Sequence, residues 1–481
     1  MTLRAEIDRL TAVRPTAQDI ADLLTLAEQS ADADPWDWAD LKTLLIRENA
    51  FEKREAAQVV QRIKITAALG SYPYTPSDLI PLWLKANGYR IQFGGGILKG
   101  QAAHDDNYVV QQINEWCATY AGSQRAPLFS PSLIRGAFEN HKTDNRREVT
   151  RRAYEVVKYD SEADTGELDR LAALLTHDDP LAPMSHPDRI RVTAIAIKNF
   201  IYRIKNHMRG QWRHSCHLMP IFHGPQGSSK TTAIDALLAP IEEVVSRTDF
   251  SVFGHDAKEF DLTVYPVMFF DEMSGASRAD WTKIKQVMTQ RDRTVRQIYQ
   301  GTSNRTLVTT FIGASNKDIS TLIRDDTGAR RFIQIATPRL SRQEVMTAFD
   351  MTAIWRSVDE DAAEPPQYAD EETIALMARA IAGQRFKGAV EEWLESDELP
   401  SGAVEYKTVF SAYYLPWLEN HRPGEVRFAS AADLKTELKR LIDAGDAPTV
   451  THTRPKGYDH FRFGDGAVVP VRRPAEQFLR A

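Results

Sequence analysis

Over roughly the first seventy residues apolar and charged positions interleave, with apolar residues returning at three- and four-residue steps (Leu41, Leu44, Leu45), a spacing that predicts helices. Ser71-Tyr-Pro-Tyr-Thr-Pro76 breaks that rhythm and reads as a linker. Tyr89–Phe93 alternates like a strand, and Gly94–Gly96 reads as a turn because it lacks Gly-x-Gly-x-x-Gly spacing. Helical spacing resumes over 105–122, followed by a polar, acidic loop at Asp160–Asp169 and a break at Pro180–Pro187. A mostly helical N-terminal region, 1–190, is the expectation. The pattern then changes: short apolar runs at 218–222, 243–247, 265–270, 294–299, 306–313 and 331–336 alternate in part with helical stretches, which predicts an α/β domain over 191–365. Helix returns over 340–400, where Asp361–Gln367 reads as an acidic, Pro-containing linker. The last domain, 366–481, predicts a helix over 404–419, a turn at Pro423, a helix over 430–444 and strands over 448–452 and 458–463. Two helices followed by a hairpin is the order of a winged-helix-like module.

A chain of 481 residues is too long for one ordinary core, which makes two or three domains the expectation. A formal net charge of −6 argues against a protein that is basic throughout, so nucleic-acid contact has to come from local stripes. Cys117 and Cys216 are far apart in sequence and suit a reducing compartment, and no apolar run approaches membrane-spanning length, so a cytoplasmic protein with no membrane partner is expected. One stretch stands out: from Arg189 to Ile234 there is no acidic residue, while Arg189, Arg191, Lys198, Arg203, Lys205, Arg209, Arg213 and Lys230 are all present. Two readings stay open there, a solvated helix face and a surface that touches phosphate.

Candidate chemistry begins at Gly224-Pro-Gln-Gly-Ser-Ser-Lys-Thr231, set between the apolar run Leu218–Phe222 and the helical run Thr232–Leu238. It fits the Gly-x-x-x-x-Gly-Lys-[Ser/Thr] phosphate-binding loop with one departure, Ser229 where the pattern has Gly. In such a strand–loop–helix, backbone N–H groups and the positive helix end cradle phosphate oxygens. The nucleotide-contacting set is then Gly224, Pro225, Gln226, Gly227, Ser228, Ser229, Lys230, Thr231 and Thr232, with Lys230 supplying charge and Thr231 a hydroxyl for Mg2+. Val267–Phe270 is an apolar strand that ends in Asp271 and Glu272. Asp271 suits a hydrated Mg2+, and Glu272 suits a base that polarises the attacking water. The strand Thr306–Ala314 ends near Asn316, a residue type that orients such a water, and Arg330-Arg331 precedes the last apolar strand. One arginine suits a structural ion pair and the other an arginine finger, with the two roles unassigned between them.

Arg291–Arg305 reads as strand, tight turn and strand, with Arg293, Arg296 and Arg305 interleaved with Tyr299, and Lys283 and Lys285 on a helix before it. Phosphate tracking needs cations and base stacking needs a ring, so a DNA-contacting hairpin competes here with an ordinary solvated one. His207, His214, Cys216 and His217 lie close in sequence without a ligand set at metal spacing and read as core or surface residues.

In order, Gly224–Thr231, Phe269-Phe-Asp-Glu272, Lys285-Gln-Val-Met-Thr289, Arg296-Gln-Ile-Tyr299, Gly313-Ala-Ser-Asn316 and Asp326-Thr-Gly-Ala-Arg-Arg-Phe332 resemble the virulence-associated E family. These are ATPases of phages and mobile elements akin to superfamily 3 helicases within the AAA+ group. The resemblance spans roughly residues 195–340. It implies an AAA+ P-loop NTPase core, ATP with Mg2+ at sites between subunits of a homo-oligomeric ring, a hexamer, and the basic hairpin facing a central pore. By position it makes Arg331 the finger, with Arg330 close behind. Relatives often carry an N-terminal primase, but residues 1–190 show no convincing pair of metal-binding carboxylates, which leaves oligomerisation or DNA loading for that region.

The function expected is an ATP-dependent DNA helicase or translocase acting on single-stranded DNA in replication of a phage, plasmid or mobile element. Lys435, Lys439, Arg440, Arg454 and Lys456 of the last domain are candidates for duplex contact, against a protein-contact role for the same module. The rivals are an ATP-gated initiator or remodelling protein without processive unwinding, and a nucleotide-dependent assembly switch without DNA.

Overall fold

Helix starts near the N-terminus are written in their capping residues. Thr16 accepts from Asp19 N while the Asp19 carboxylate accepts from Thr16 N at 2.9 Å, and Asp34 with Asp37 and Thr75 with Asp78 repeat the device. The computed structural model of the chain describes residues 2–48, 50–120, 128–163, 166–180, 182–212, 217–253, 260–271, 273, 281–297, 301–319, 331–341, 343–344, 348–384, 388–423, 426–444 and 447–464. These divide into two units, Met1–Glu155 and Val156–Ala481.

The first unit opens with α1 (Leu3–Ala12), α2 (Ala17–Glu28), α3 (Pro35–Arg47) and α4 (Lys53–Leu69). Their apolar stripes close one core around Leu10, Leu23, Leu41 and Leu45. A second core gathers α5 (Pro76–Ala86), α6 (Asp106–Thr119) and part of α7 (Pro131–Val157) with the antiparallel strands β1 (Tyr89–Ile91), β2 (Ile97–Lys99) and β3 (Ala102–His104). Residues 71–76 are not an inter-domain linker. Tyr72 packs on this second core and Thr75 caps α5, because Pro and Thr mark helix starts as readily as they mark linkers.

The second unit is built on a five-stranded parallel sheet of order β10-β4-β9-β6-β5, from β4 (Met219–His223), β5 (Val245–Thr248), β6 (Val267–Phe270), β9 (Thr310–Ser315) and β10 (Phe332–Ala336). Every residue of β6 and β9 is buried, as a parallel sheet covered on both faces requires. The hairpin β7 (Asp292–Gln297) and β8 (Gly301–Thr306) stands between β6 and β9 in sequence. The run 306–313 is not one strand: β8 ends at Thr306 and β9 starts at Thr310. Leu307 N and Val308 N turn away to Arg291 O and Leu262 O, so the apolar run is continuous while its hydrogen-bond partners change.

After α8 (Gly166–Leu175), the long helix α9 (His186–Met208) carries most of the acid-free stretch, and its cations are answered by acids distant in sequence. Arg191 meets Glu372 at 2.6 Å, Arg209 meets Asp361 at 2.7 Å and Lys198 meets Asp169 at 3.8 Å. Lys205 is fully buried and its Nζ lies 2.6 Å from Glu360, itself 1% exposed. Residues 359–367 are therefore sewn to α9 rather than running free. Asn206 Nδ2 donates to Glu360 O and Tyr202 Oη to Ala362 O, and Gln367 is buried. The C-terminal part also departs from expectation. Residues 402–405 form a strand, β11 (Gly402–Glu405), instead of starting a helix, and with β12 (Val450–Thr453) and β13 (His460–Phe463) make an antiparallel sheet of order β11-β13-β12. Gly402, at φ 77, makes the left-handed turn into β11 that an L side chain resists.

Candidate active site at the strand ends

The sheet order brings the site together. Because β9 lies between β4 and β6, with His223 opposite Ser315 and Phe270 opposite Gly313, the chain leaves three neighbouring strands at one edge. Residues 224–231, Asp271 and Asn316 all follow those ends, where open parallel sheets bind ligands.

Loop geometry explains its residue types. A Cβ on Gly224 would sit 2.6 Å from Thr337 O and 3.0 Å from Ser228 Oγ, so backbone from the exit of β10 leaves room only for glycine. Gly227 (φ 77) and Ser229 (φ 59) both take the left-handed conformation, and α10 (Lys230–Leu238) starts immediately afterwards without a side-chain cap. Left-handed backbone costs an L residue about 1–2 kcal/mol, which accounts for the glycine in the pattern at position 229. Ser229 turns its hydroxyl away from the loop's mouth and donates to Leu340 O at 2.7 Å.

Lys230 is 7% exposed, and its ammonium is shared among Gly224 O (2.9 Å), Pro225 O (2.8 Å), Ser228 Oγ (3.1 Å) and Asn316 Oδ1 (2.8 Å). Thr231 Oγ1 donates to Asp271 Oδ1 at 2.9 Å, joining segments forty residues apart. Thr232 is half-buried, while Pro225, Gln226, Gly227, Asp271 and Asn316 are exposed. Glu272 lies outside the described residues. Met273 next to it has φ 41 and is buried, with its Sδ 3.3 Å from where a Cβ on Gly313 would stand. The sharp turn after the acidic pair is a backbone outlier of the kind that collects at functional sites. Neither Met273 nor the Thr337–Leu340 buttress carried a local sequence signal.

Not every candidate joins this group. Arg331 is half-buried with its Nε buried, and its charge, after burial, Arg203 and His207, helps hold His217 well below the ordinary imidazole value. Arg330 lies outside the described residues. His207 is likewise buried, stacked on Trp212, and held well below the ordinary value by burial and then Arg203. His214 and Cys216 lie outside the described residues.

In the hairpin, Arg293 stands directly opposite Arg305 and Arg296 opposite Thr302, while Val295 is buried. Lys283 and Lys285 lie on the helix Trp281–Thr289, whose Ile284, Val287 and Met288 pack against the sheet core; Lys285 is half-buried. Tyr299 lies outside the described residues. Four of the candidates in the C-terminal part, Lys435, Lys439, Arg440 and Arg454, pair within it. Lys435, Lys439, Arg454 and His452 converge on Asp459, at 3.5, 3.0, 2.8 and 2.7 Å, and Arg440 pairs with Glu437 at 2.6 Å.

By fold the region is an α/β domain with a parallel sheet and a loop, acid and amide grouped at one edge. Residues 191–379, which hold the loop at 224–231, Asp271, Asn316 and the hairpin, match the model of the virulence-associated protein E-like domain. No curated protein matches the chain. An A-form apo structure of the NrS-1 C-terminal region is similar at 15% identity and a TM-score of 0.38, covering 81% of this chain and all of that one. An A-form structure of NrS-1 residues 305–718 gives 13%, 0.39, 82% and 100%. At those scores no shared fold is established.

Proposed function

We propose that this chain is an ATP-dependent DNA motor that hydrolyses ATP with Mg2+ at subunit interfaces of a hexameric ring. It would move on single-stranded DNA in the replication of a phage, plasmid or mobile element. The observation that carries the reading is the convergence of Lys230, Thr231, Asp271 and Asn316 at one sheet edge, from three segments joined by 2.8–2.9 Å hydrogen bonds.

The residues fit a magnesium nucleotide. A buried ammonium, an uncapped helix start and a glycine where a Cβ would collide form an anion cradle, and the hydroxyl–carboxylate pair beside it is a donor set for a hard cation. Thr231 and Asp271 would hold Mg2+, which when bound supplies charge neutralisation on the phosphates. Lys230 would exchange its carbonyl and hydroxyl partners for phosphoryl oxygen while Asn316 keeps it aimed. Glu272 would take a proton from the attacking water, with Asn316 orienting that water. Of the two arginines, Arg331 suits the trans-acting charge by its position, with Arg330 close behind.

The deciding experiment is a forked-duplex unwinding assay with ATP, run beside a size measurement with and without nucleotide. Lys230→Met and Glu272→Gln are expected to lose turnover by about a hundredfold or more, and unchanged turnover in Glu272→Gln defeats the catalytic assignment. Turnover without unwinding favours an initiator or remodelling protein. Hydrolysis that DNA does not stimulate at low salt favours an assembly switch.

A further inference from the structure

The N-terminal unit contains a cavity of about 580 Å3 walled by α3 and α4 and reaching the end of α6. This lies in the size range of small-ligand pockets, roughly 300–1,000 Å3. Two lysines, Lys42 of α3 and Lys64 of α4, line it together with Trp38, Pro35, Val60 and Tyr120. Both lysines are half-buried, and the Lys64 ammonium lies 5.7 Å from the centre of the Trp38 ring.

The two charges differ from those of two buried lysines. Lys142, nearly buried, is paired with Asp106, and Lys205 is paired with Glu360. Among the described residues neither Lys42 nor Lys64 has a carboxylate partner, and the acids near Lys42 on α3 are already taken: Arg4 engages Asp40 at 2.7 Å and Asp37 at 3.4 Å. Burial, and after it the Lys42 charge, hold the Lys64 ammonium below the ordinary lysine value. Two like charges facing one half-enclosed space, with no acid between them, lower stability until an anion enters.

We propose that this cavity is a second binding site, specific for the phosphate of a nucleotide. Lys42 and Lys64 hold the phosphoryl oxygens, and the apolar wall of Trp38, Pro35 and Val60 takes the sugar or base. The same chemistry has two sources, a free nucleotide and a nucleotide within a single strand. Nothing in it requires nucleotide at Lys230. Phosphate is favoured over a carboxylate because two ammonium groups need an anion with several oxygens, and the wall beside them is apolar and aromatic.

The test is limiting acetylation of the full chain, read lysine by lysine by peptide mass spectrometry, with ATP free of Mg2+ or with an octathymidylate as probe. Saturating probe is expected to slow acetylation of both Lys42 and Lys64 by about tenfold, in proportion to occupancy, while exposed Lys53 reacts as before. Protection by ATP alone identifies the free nucleotide as the source, and protection by the oligonucleotide alone identifies the strand. No protection by either overturns the assignment. Lys64→Met, which removes a charge disfavoured by burial and so keeps the fold, is expected to abolish protection of Lys42. Persistence of that protection overturns the assignment too.

Discussion

The Ser229 hydroxyl donates to Leu340 O at 2.7 Å, tying the start of α10 to the segment that leaves β10. A residue that departs from the loop pattern thereby gains a function that glycine cannot supply. Ser229→Ala keeps the left-handed strain and loses the bond, so it is expected to destabilise the chain by about 1 kcal/mol. Ser229→Gly loses the same bond but relieves a strain of about 1–2 kcal/mol, and should lie within about 1 kcal/mol of the parent. Urea midpoints of the three proteins give the comparison, and equal stability of Ser229→Ala and the parent removes the role given to this bond.

The buried pair Lys205–Glu360 joins α9 to the segment before residue 367, and Lys205 Nζ also donates to Trp355 O at 3.2 Å. Burial outweighs Glu360 in holding the Lys205 ammonium below its ordinary value. Lys205→Met alone leaves a buried carboxylate and should cost about 3–5 kcal/mol. The double variant Lys205→Met with Glu360→Leu should recover most of that loss in thermal melts. A double variant no better than the single one would falsify the view that the uncompensated charge is the main cost.

Asp459 accepts from Lys439, Arg454 and His452, and these partners hold its carboxyl well below the ordinary value near 3.8. The unfolded chain therefore takes up this proton first as pH falls. The stabilisation is fully present above the unfolded value and is lost as pH drops through it toward the depressed one. Protection of the β12–β13 amides, taken relative to the intrinsic exchange rate at each pH, should fall on acidification from pH 5 to pH 3 in the parent, while in Asp459→Asn, already weakly protected, it should change less. Parallel pH profiles for the two proteins contradict the linkage.

Arg293 and Arg305 stand opposite each other across β7 and β8, where like charges repel. Under the proposed function this pair of cations lies alongside the phosphates of the single strand. Arg305→Ala should leave basal ATP turnover unchanged and lower its stimulation by single-stranded DNA. The slope of log affinity against log salt should shallow by about 0.7 for one lost single-strand phosphate contact. An unchanged salt slope sinks the DNA-facing role of the hairpin.

The edge of the site was legible because its signals are local. A loop of fixed length between an apolar run and a helix, and acids directly after four apolar residues, are read without knowing what packs on what. Other local signals misled for the same reason. The run 306–313 reads as one strand because Leu307 and Val308 are apolar, yet they lie in the irregular segment between β8 and β9, where their N–H groups donate to Arg291 and Leu262 of other segments.

The sequence by itself determined the composition of the strands, the loop at 224–231 and the identity of the polar groups at the strand ends, since each depends on neighbours a few residues away. Tertiary structure alone decided which charges are spent. It set Lys205 on Glu360, gathered Lys435, Lys439 and Arg454 on Asp459, and left Lys42 and Lys64 facing one cavity. A charge keeps its sign wherever the chain runs, but desolvation and pairing belong to the space around it, and that space is made by residues up to about two hundred positions away.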